Sequence, residues 1–229
     1  MTANARHSKA TPRWGTPADW CEMSRVALGG RIALDPMSEP MFNEVVQAER
    51  YYTEADDCFA QSWACDSMLI NPAGGLVVPG WQKLVSEWTK GNVRRAIWIG
   101  FSVEQLNLLA DEPLHPDDFS KLTVRGRIDF LTLHPRRAVV DSNGSDLTLE
   151  CGHVVRLQAR KTAAPKSYRC TECIGSPESN GAPSHANYVV GLGITVDQFE
   201  RAFLGRGRFH HGRLAITRVG RHTQQALLA

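Results

Sequence analysis

Two groups of residues in this 229-residue chain have the types and spacing to do chemistry. The first is Ser67-Met68-Leu69-Ile70-Asn71-Pro72-Ala73-Gly74-Gly75, an apolar strand running into Asn-Pro and a small-residue turn. Such a turn offers an exocyclic amino group two acceptors, the Asn71 amide oxygen and the Pro72 carbonyl. Hydrogen bonds to its two protons draw charge toward nitrogen as it attacks a methyl sulfonium. The same string is also an ordinary strand-to-turn sequence. The second group pairs Cys151-Gly152-His153 with Cys170-Thr171-Glu172-Cys173. Two close pairs of soft and borderline ligands separated by a loop suit tetrahedral zinc. With four protein ligands and no open position, the site is structural, and metal binding supplies folding energy that so short a segment lacks. The competing reading is reduced cysteines in a loop.

Cofactors of α/β sheets bind at the carboxyl ends of strands. Asp35, Asn71 and Phe101 each follow a short apolar run and so stand at such ends. Asp35 and Asp57 are the carboxylates suited to a sulfonium charge, a ribose diol or an adenine amine. A plain Asp-Pro turn accounts equally for Asp35, and a solvated acidic face for Asp57. The chain has no G-x-G-x-x-G, no G-x-x-x-x-G-K-[ST] and no G-x-S-x-G. These absences weigh against a dinucleotide-binding enzyme, P-loop chemistry and a nucleophile-elbow hydrolase.

Apolar residues make up 42% of the chain and charged residues 22%, enough apolar content to build a core. No apolar run approaches the ~20 residues that span a bilayer. The polar stretch from Met1 to Arg13 has no hydrophobic signal region, so residues 1–12 read as a tail and the protein as cytoplasmic, without a membrane partner. A net charge of +2 hides an asymmetry. Acids dominate from Asp35 to Asp66, where Arg50 is the sole base, whereas Arg201, Arg206, Arg208, Arg213, Arg218 and Arg221 follow with no acid. Arg206 and Arg208 are therefore candidate phosphate contacts, as are Arg156, Arg160 and Lys161 around the cysteine module, with Tyr168 available to stack. A solvated basic surface is the alternative.

The elements that must position these groups alternate between strand and helix. Thr16-Pro17-Ala18-Asp19 opens a helix with Thr16 as cap and Gly29-Gly30 as stop. Strands are expected at 31–34, 67–70, 95–101, 121–125, 128–133 and 187–193. Helices are expected at 42–48, 79–89, from Ser102 with a capping box, and from Thr195 to about Leu204. The alternation implies a layered α/β sheet. Residues 136–180 break the rhythm and read as an inserted zinc-ribbon-like module, leaving 13–135 and 181–229 as the core with its basic C-terminal segment.

The order of parts also resembles a known family. Arg13-Trp14-Gly15-Thr16-Pro17, Ala33-Leu34-Asp35-Pro36, Tyr51 to Asp57, Trp63, Asn71-Pro72 and Trp81 are similar to the phage-type DNA N6-adenine methyltransferases. Arg125-Gly126-Arg127-Ile128-Asp129-Phe130 and Gly181-Ala182-Pro183-Ser184 match that family's closing strands. The resemblance implies a class I, Rossmann-like methyltransferase sheet with helices on both faces, S-adenosylmethionine as donor and adenine in DNA as acceptor. It implies cofactor contacts from Trp14, Thr16, Pro17, Asp35, Asp57 and Asn71, with Asn71 and Pro72 catalytic. The chain departs from the family's Asn-Pro-Pro-Tyr at Ala73 and Gly74, which removes the aromatic that stacks on the flipped base. Trp81 and Phe101 are the candidate substitutes. Without one, the chain is either an inactive nucleic-acid-binding protein of this fold, or a methyltransferase for another amine or modified base.

Overall fold

The computed structural model describes residues 14–157, 164–179 and 187–211. In chain order the strands are β1 (Leu34–Asp35), β2 (Arg50–Tyr51), β3 (Cys65–Ile70), β4 (Val93–Gly100), β5 (Phe119–Val124), β6 (Leu131–Thr132), β7 (Arg136–Asn143), β8 (Asp146–Leu149), β9 (Val154–Arg156), β10 (Ser167–Arg169), β11 (Glu178–Ser179), β12 (Tyr188–Leu192) and β13 (Gly207–His210). The α-helices are α1 (Ala18–Ala27), α2 (Pro40–Val46), α3 (Val77–Thr89), α4 (Val103–Leu108) and α5 (Val196–Ala202).

Seven strands form one mixed sheet in the order β13-β5-β12-β4-β3-β1-β2. The four strands β2, β1, β3 and β4 are parallel, whereas β12 lies antiparallel between β4 and β5, and β13 antiparallel on β5. The central strands are apolar on both faces because both are covered. On one face Met68, Ile70, Ala96 and Trp98 pack under α3 and α4, with Trp81 edge-on to Trp98 at 5.2 Å. On the other, Leu69, Ile97, Ile99 and Leu122 pack under α1 and α5 with Trp20, Phe199 and Phe203. The period-2 alternation of β3 and β4 sorts neighbouring residues between the two cores. The architecture is thus mixed α/β with helices on both faces of a large sheet.

Two helix starts differ from expectation. The α1 cap is Pro17 rather than Thr16, and no side chain caps it. Thr16 is buried, its carbonyl accepting from Cys21 Sγ at 3.5 Å, so packing outcompetes the cap. Ser102 adopts φ +53° and makes no capping bond, so the predicted capping box is absent. The Thr195 cap does form, accepting from the Gln198 amide at 3.3 Å. The Gly29-Gly30 stop also forms, with φ values of +87° and +104°. A single strand expected over 128–133 shrinks to Leu131–Thr132.

The region expected to be inserted forms its own antiparallel sheet, β10-β7-β8-β9, joined to the rest by the short β6–β11 ribbon. Leu147, Leu149, Leu157 and Cys170 are its buried residues. Among the described residues no helix is long and apolar enough to cross a membrane.

Candidate functional site

The chain enters the sheet at β1, moves outward to β2, then returns across β1 to β3 and β4. The order therefore reverses between β1 and β3. Their carboxyl ends, Asp35 and Ile70, flank the crevice where ligands of open α/β sheets bind. A cleft of about 500 Å³ opens there. Trp14, Phe42, Tyr52 and Phe59 give it aromatic walls; Glu39, Glu54 and Asp57 give it acids; Asn71 and Ala73 stand at its rim.

Asn71 is half-buried, and its amide Nδ2 donates to the Trp14 carbonyl at 2.7 Å. A carbonyl partner fixes the amide orientation, because only the nitrogen side can donate. Oδ1 is thereby left as an acceptor. The Trp14 segment is itself anchored: Gly15 exchanges two 2.8 Å backbone bonds with Leu131, and the Trp14 ring stacks on Phe130 at 5.7 Å. Pro72 follows directly, and its carbonyl accepts no backbone bond among the described residues.

The acidic wall is a braced loop. Thr53 and Asp56 close a capping box, Lys83 of α3 donates to the carbonyls of Phe59 and Gln61, and Trp63 Nε1 donates to Cys58 at 2.8 Å. Asp57 sits at φ +47° and accepts the Phe59 amide at 3.2 Å, so a ligand-facing acid is held in a strained backbone conformation. One buried polar atom in the lining, Trp14 Nε1, has no hydrogen-bond partner. Buried N–H groups normally find one.

Asp35 lies beneath this cleft rather than in its lining. It is buried, and burial pushes its carboxyl up to about 6, against the lowering pull of the Met37 amide (3.2 Å to Oδ1) and the neighbouring Ser38 hydroxyl. It shapes the turn 36–38 that supplies Met37, Ser38 and Glu39. Of the other expected contacts, Trp14, Asp57 and Asn71 reach the cleft, whereas buried Thr16 and Pro17 at the α1 start do not. Trp81 is fully buried in the core and is unavailable to stack on a base. Phe101 is half-buried against the same core. Tyr52 and Glu54 belong to the Tyr51–Asp57 stretch of the resemblance, whereas for Ser38, Glu39, Phe42 and Phe59 the sequence offers only the acidic bias of 35–66.

The cysteine module converges. The ligand atoms of Cys151, His153, Cys170 and Cys173 all lie within 4.8 Å of one another. Cys151 and Cys170 sulfurs are 3.6 Å apart, and His153 Nδ1 is 3.4, 3.4 and 3.5 Å from Cys151, Cys170 and Cys173. A tetrahedral ion with bonds of about 2.3 Å to sulfur and about 2.05 Å to nitrogen gives edges of about 3.8 and about 3.5 Å. The observed edges agree to within about 0.2 Å, so this cluster can hold a metal ion such as zinc. Local structure makes it: Gly152 at φ +81° turns β8 into β9, and the Cys170 amide donates to the Pro135 carbonyl at 3.1 Å. The His153 amide holds the Cys151 thiol down at about 6, while the Cys170 sulfur and burial push Cys173 up to about 11.

The expected phosphate contacts scatter. Arg156 is committed to Asp146 through bonds of 2.8 and 3.1 Å. Arg208 is exposed on β13, and Arg206 pairs with Asp19 at 3.1 Å. Arg160 and Lys161 lie outside the described residues, as does 181–184. No family model, no curated protein and no solved structure matches this chain.

Proposed function

We propose that this chain is an S-adenosylmethionine-dependent methyltransferase acting on an exocyclic amine of a nucleobase, adenine in DNA being the acceptor the sequence resemblance implies. The supporting observation is the placement of Asn71. Its amide is fixed by Trp14 at the carboxyl end of a central strand, at the switch in strand order, on the rim of an acid- and aromatic-lined cleft. The donor set fits the cofactor. Carboxylates of Glu39, Glu54 and Asp57 suit an ammonium, a sulfonium and ribose hydroxyls; Tyr52 and Phe59 suit an adenine face; and the orphaned Trp14 Nε1 suits an acceptor. When bound, S-adenosylmethionine supplies the electrophilic methyl group.

The chain's residues do the rest by orientation. Asn71 Oδ1 and the Pro72 carbonyl accept the two protons of the amine and hold its lone pair toward the cleft. Their partial negative charge favours the positive charge that grows on nitrogen. The amine would displace the donor's thioether directly, the new N–C bond replacing the C–S bond and the surplus N–H proton passing to water, with no covalent enzyme intermediate. The Cys3His centre is read as structural zinc, since four protein ligands close the sphere.

Ala73 and Gly74 favour a second reading, an amine other than one on a flipped adenine. No aromatic stands in the motif, and Trp81 cannot replace it. Incubating the protein with DNA and labelled donor, then analysing nucleosides by mass spectrometry, tests both. N6-methyladenine supports the first reading and another methylated nucleoside the second. Calorimetry is expected to show micromolar donor binding, ~8 kcal/mol. Absence of both binding and methylation refutes the proposal.

A further inference from the structure

A second cleft of about 330 Å³ lies on the same rim of the sheet, lined by Pro17, Trp20, Arg125, Arg127, Asp129 and Arg206 among others. Its position follows from topology. β5 runs in the same direction as β4, so the chain leaving Val124 emerges on the edge that carries Asp35 and Asn71. It turns there through Gly126 at φ +74°, exposing Arg125 and Arg127. Arg206 arrives from the turn before β13, and the Arg125 amide donates to its carbonyl at 2.7 Å.

The charges are unbalanced. Three guanidiniums and two carboxylates line this cleft, a net charge of +1, and the partner of Asp129 is a neutral hydroxyl. Asp19 pairs with Arg206 at 3.1 Å, and Asp129 accepts from Ser179 Oγ at 2.6 Å. The Arg206 guanidinium is further fixed over the Trp20 ring at 5.5 Å. Among the described residues neither Arg125 nor Arg127 has a carboxylate within ion-pair distance. Arg125 and Arg127, free of ion pairs, thus stand beside the fixed Arg206, and guanidinium forks can grip a phosphate bidentately. Trp14 lines one cleft and Pro17 the other, so at most about 11 Å of chain separates these two lining residues.

We infer that Arg125, Arg127 and Arg206 form a phosphate-binding subsite that grips the nucleic-acid backbone beside the base presented to Asn71. The inference rests on the nucleic-acid reading above and goes beyond it by naming the anchoring residues. Binding of a fluorescent duplex by the full chain, measured from 50 to 200 mM salt, tests it. Each lost phosphate contact lowers the log–log salt slope by about 0.9. The Arg125→Ala/Arg127→Ala variant is expected to flatten the slope by about 1.8, so that wild type loses about twelvefold more affinity than the variant across that range. Arg125→Lys/Arg127→Lys is expected to keep the slope, because charge is retained. Lys90→Ala/Arg94→Ala removes equal charge from exposed sites at the opposite strand ends and is expected to leave the slope within about 0.5 of wild type. An unchanged slope in the first variant, an equal fall in the Lys90/Arg94 control, or no duplex binding by wild type overturns the subsite. Donor calorimetry on protein alone tests the cofactor reading separately and does not depend on any of these arginines.

Discussion

Replacing Asp35 with Asn is expected to stabilise the protein, and more so as pH rises. The carboxyl titrates at about 6 in the fold against an ordinary value of 3.8, with burial the dominant cause. The native state therefore binds this proton more tightly than the unfolded chain does. Its contribution is fully present below about 3.8 and is lost as pH rises through about 6. A displacement of about two pH units at about 1.36 kcal/mol each makes the ionised carboxylate cost up to about 3 kcal/mol above pH 7. Asn fits the site: its Oδ1 can keep the Met37 amide, and the neighbouring Ser38 Oγ can accept from Nδ2. Urea unfolding of both proteins at pH 4, 6 and 7.5 measures the difference. The variant is expected to be up to about 3 kcal/mol more stable at pH 7.5, equivalent to roughly 6–12 °C in Tm for a chain this size, and nearly equal at pH 4. A variant less stable than wild type at pH 7.5, or a gain that does not vary with pH, refutes the reasoning. If the proposed donor brings its positive charge close enough to Asp35, beneath the cleft, to lower its pKa, binding near pH 6 releases a proton. Calorimetry in two buffers of different ionisation enthalpy detects that release, and Asp35→Asn abolishes it.

Asn71→Ala is expected to lower methyl transfer by at least about 100-fold while donor affinity changes less than about threefold, read by single-turnover kinetics and calorimetry. Elemental analysis is expected to find about one zinc per chain, and Cys170→Ser to lose it. Chelation is expected to increase hydrogen exchange in 136–157 and 167–179 while strands β3 and β4 stay protected; an equally protected metal-free module refutes the assignment. Gly193→Ala is expected to cost about 3 kcal/mol in urea unfolding, because the residue sits at φ +65° and an added Cβ would lie 2.0 Å from the Arg94 carbonyl oxygen. A change below about 1 kcal/mol contradicts that geometry.

The central sheet was legible because its strands are continuous apolar runs, a pattern a buried parallel strand requires. Ser67–Ile70 and Arg95–Phe101 were found within a few residues of β3 and β4. The metal cluster was legible because ligand type and spacing largely determine it. What escaped was tertiary. A Thr-Pro start looks like a cap, but burial of Thr16 is decided by Cys21 and by the Gly15–Leu131 bridge, both set by distant packing. Trp81 at helical spacing gave no sign of whether it faced core or cleft. Arg125 and Arg127 were read as part of a strand pattern, and nothing local showed that their turn stands beside Arg206, eighty residues later in sequence.

The metal module and the cleft are joined by a short series of contacts. Asn71 is held by Trp14, and the next residue, Gly15, is bridged to Leu131 of β6. β6 pairs with β11 through Thr132 and Glu178, and Glu178 accepts from Arg169, which also donates to the His134 carbonyl. Arg169 immediately precedes Cys170, and Cys170 is tied to Pro135. The links are backbone pairs, the charge-assisted bonds of Arg169 and the Asn71 amide's bond to the Trp14 carbonyl, so order in the Cys3His centre favours order in the loop that orients the Asn71 amide. A structural ion far from any reacting atom would then affect turnover through the precision with which one acceptor is aimed. A misplacement of about 1 Å at a reacting pair costs on the order of 100-fold in rate. On this reading metal loss lowers kcat through Asn71 and weakens donor binding to a smaller degree, since only the Trp14 side of the cleft is tied to the module and the acidic wall is braced separately by Lys83 and Trp63.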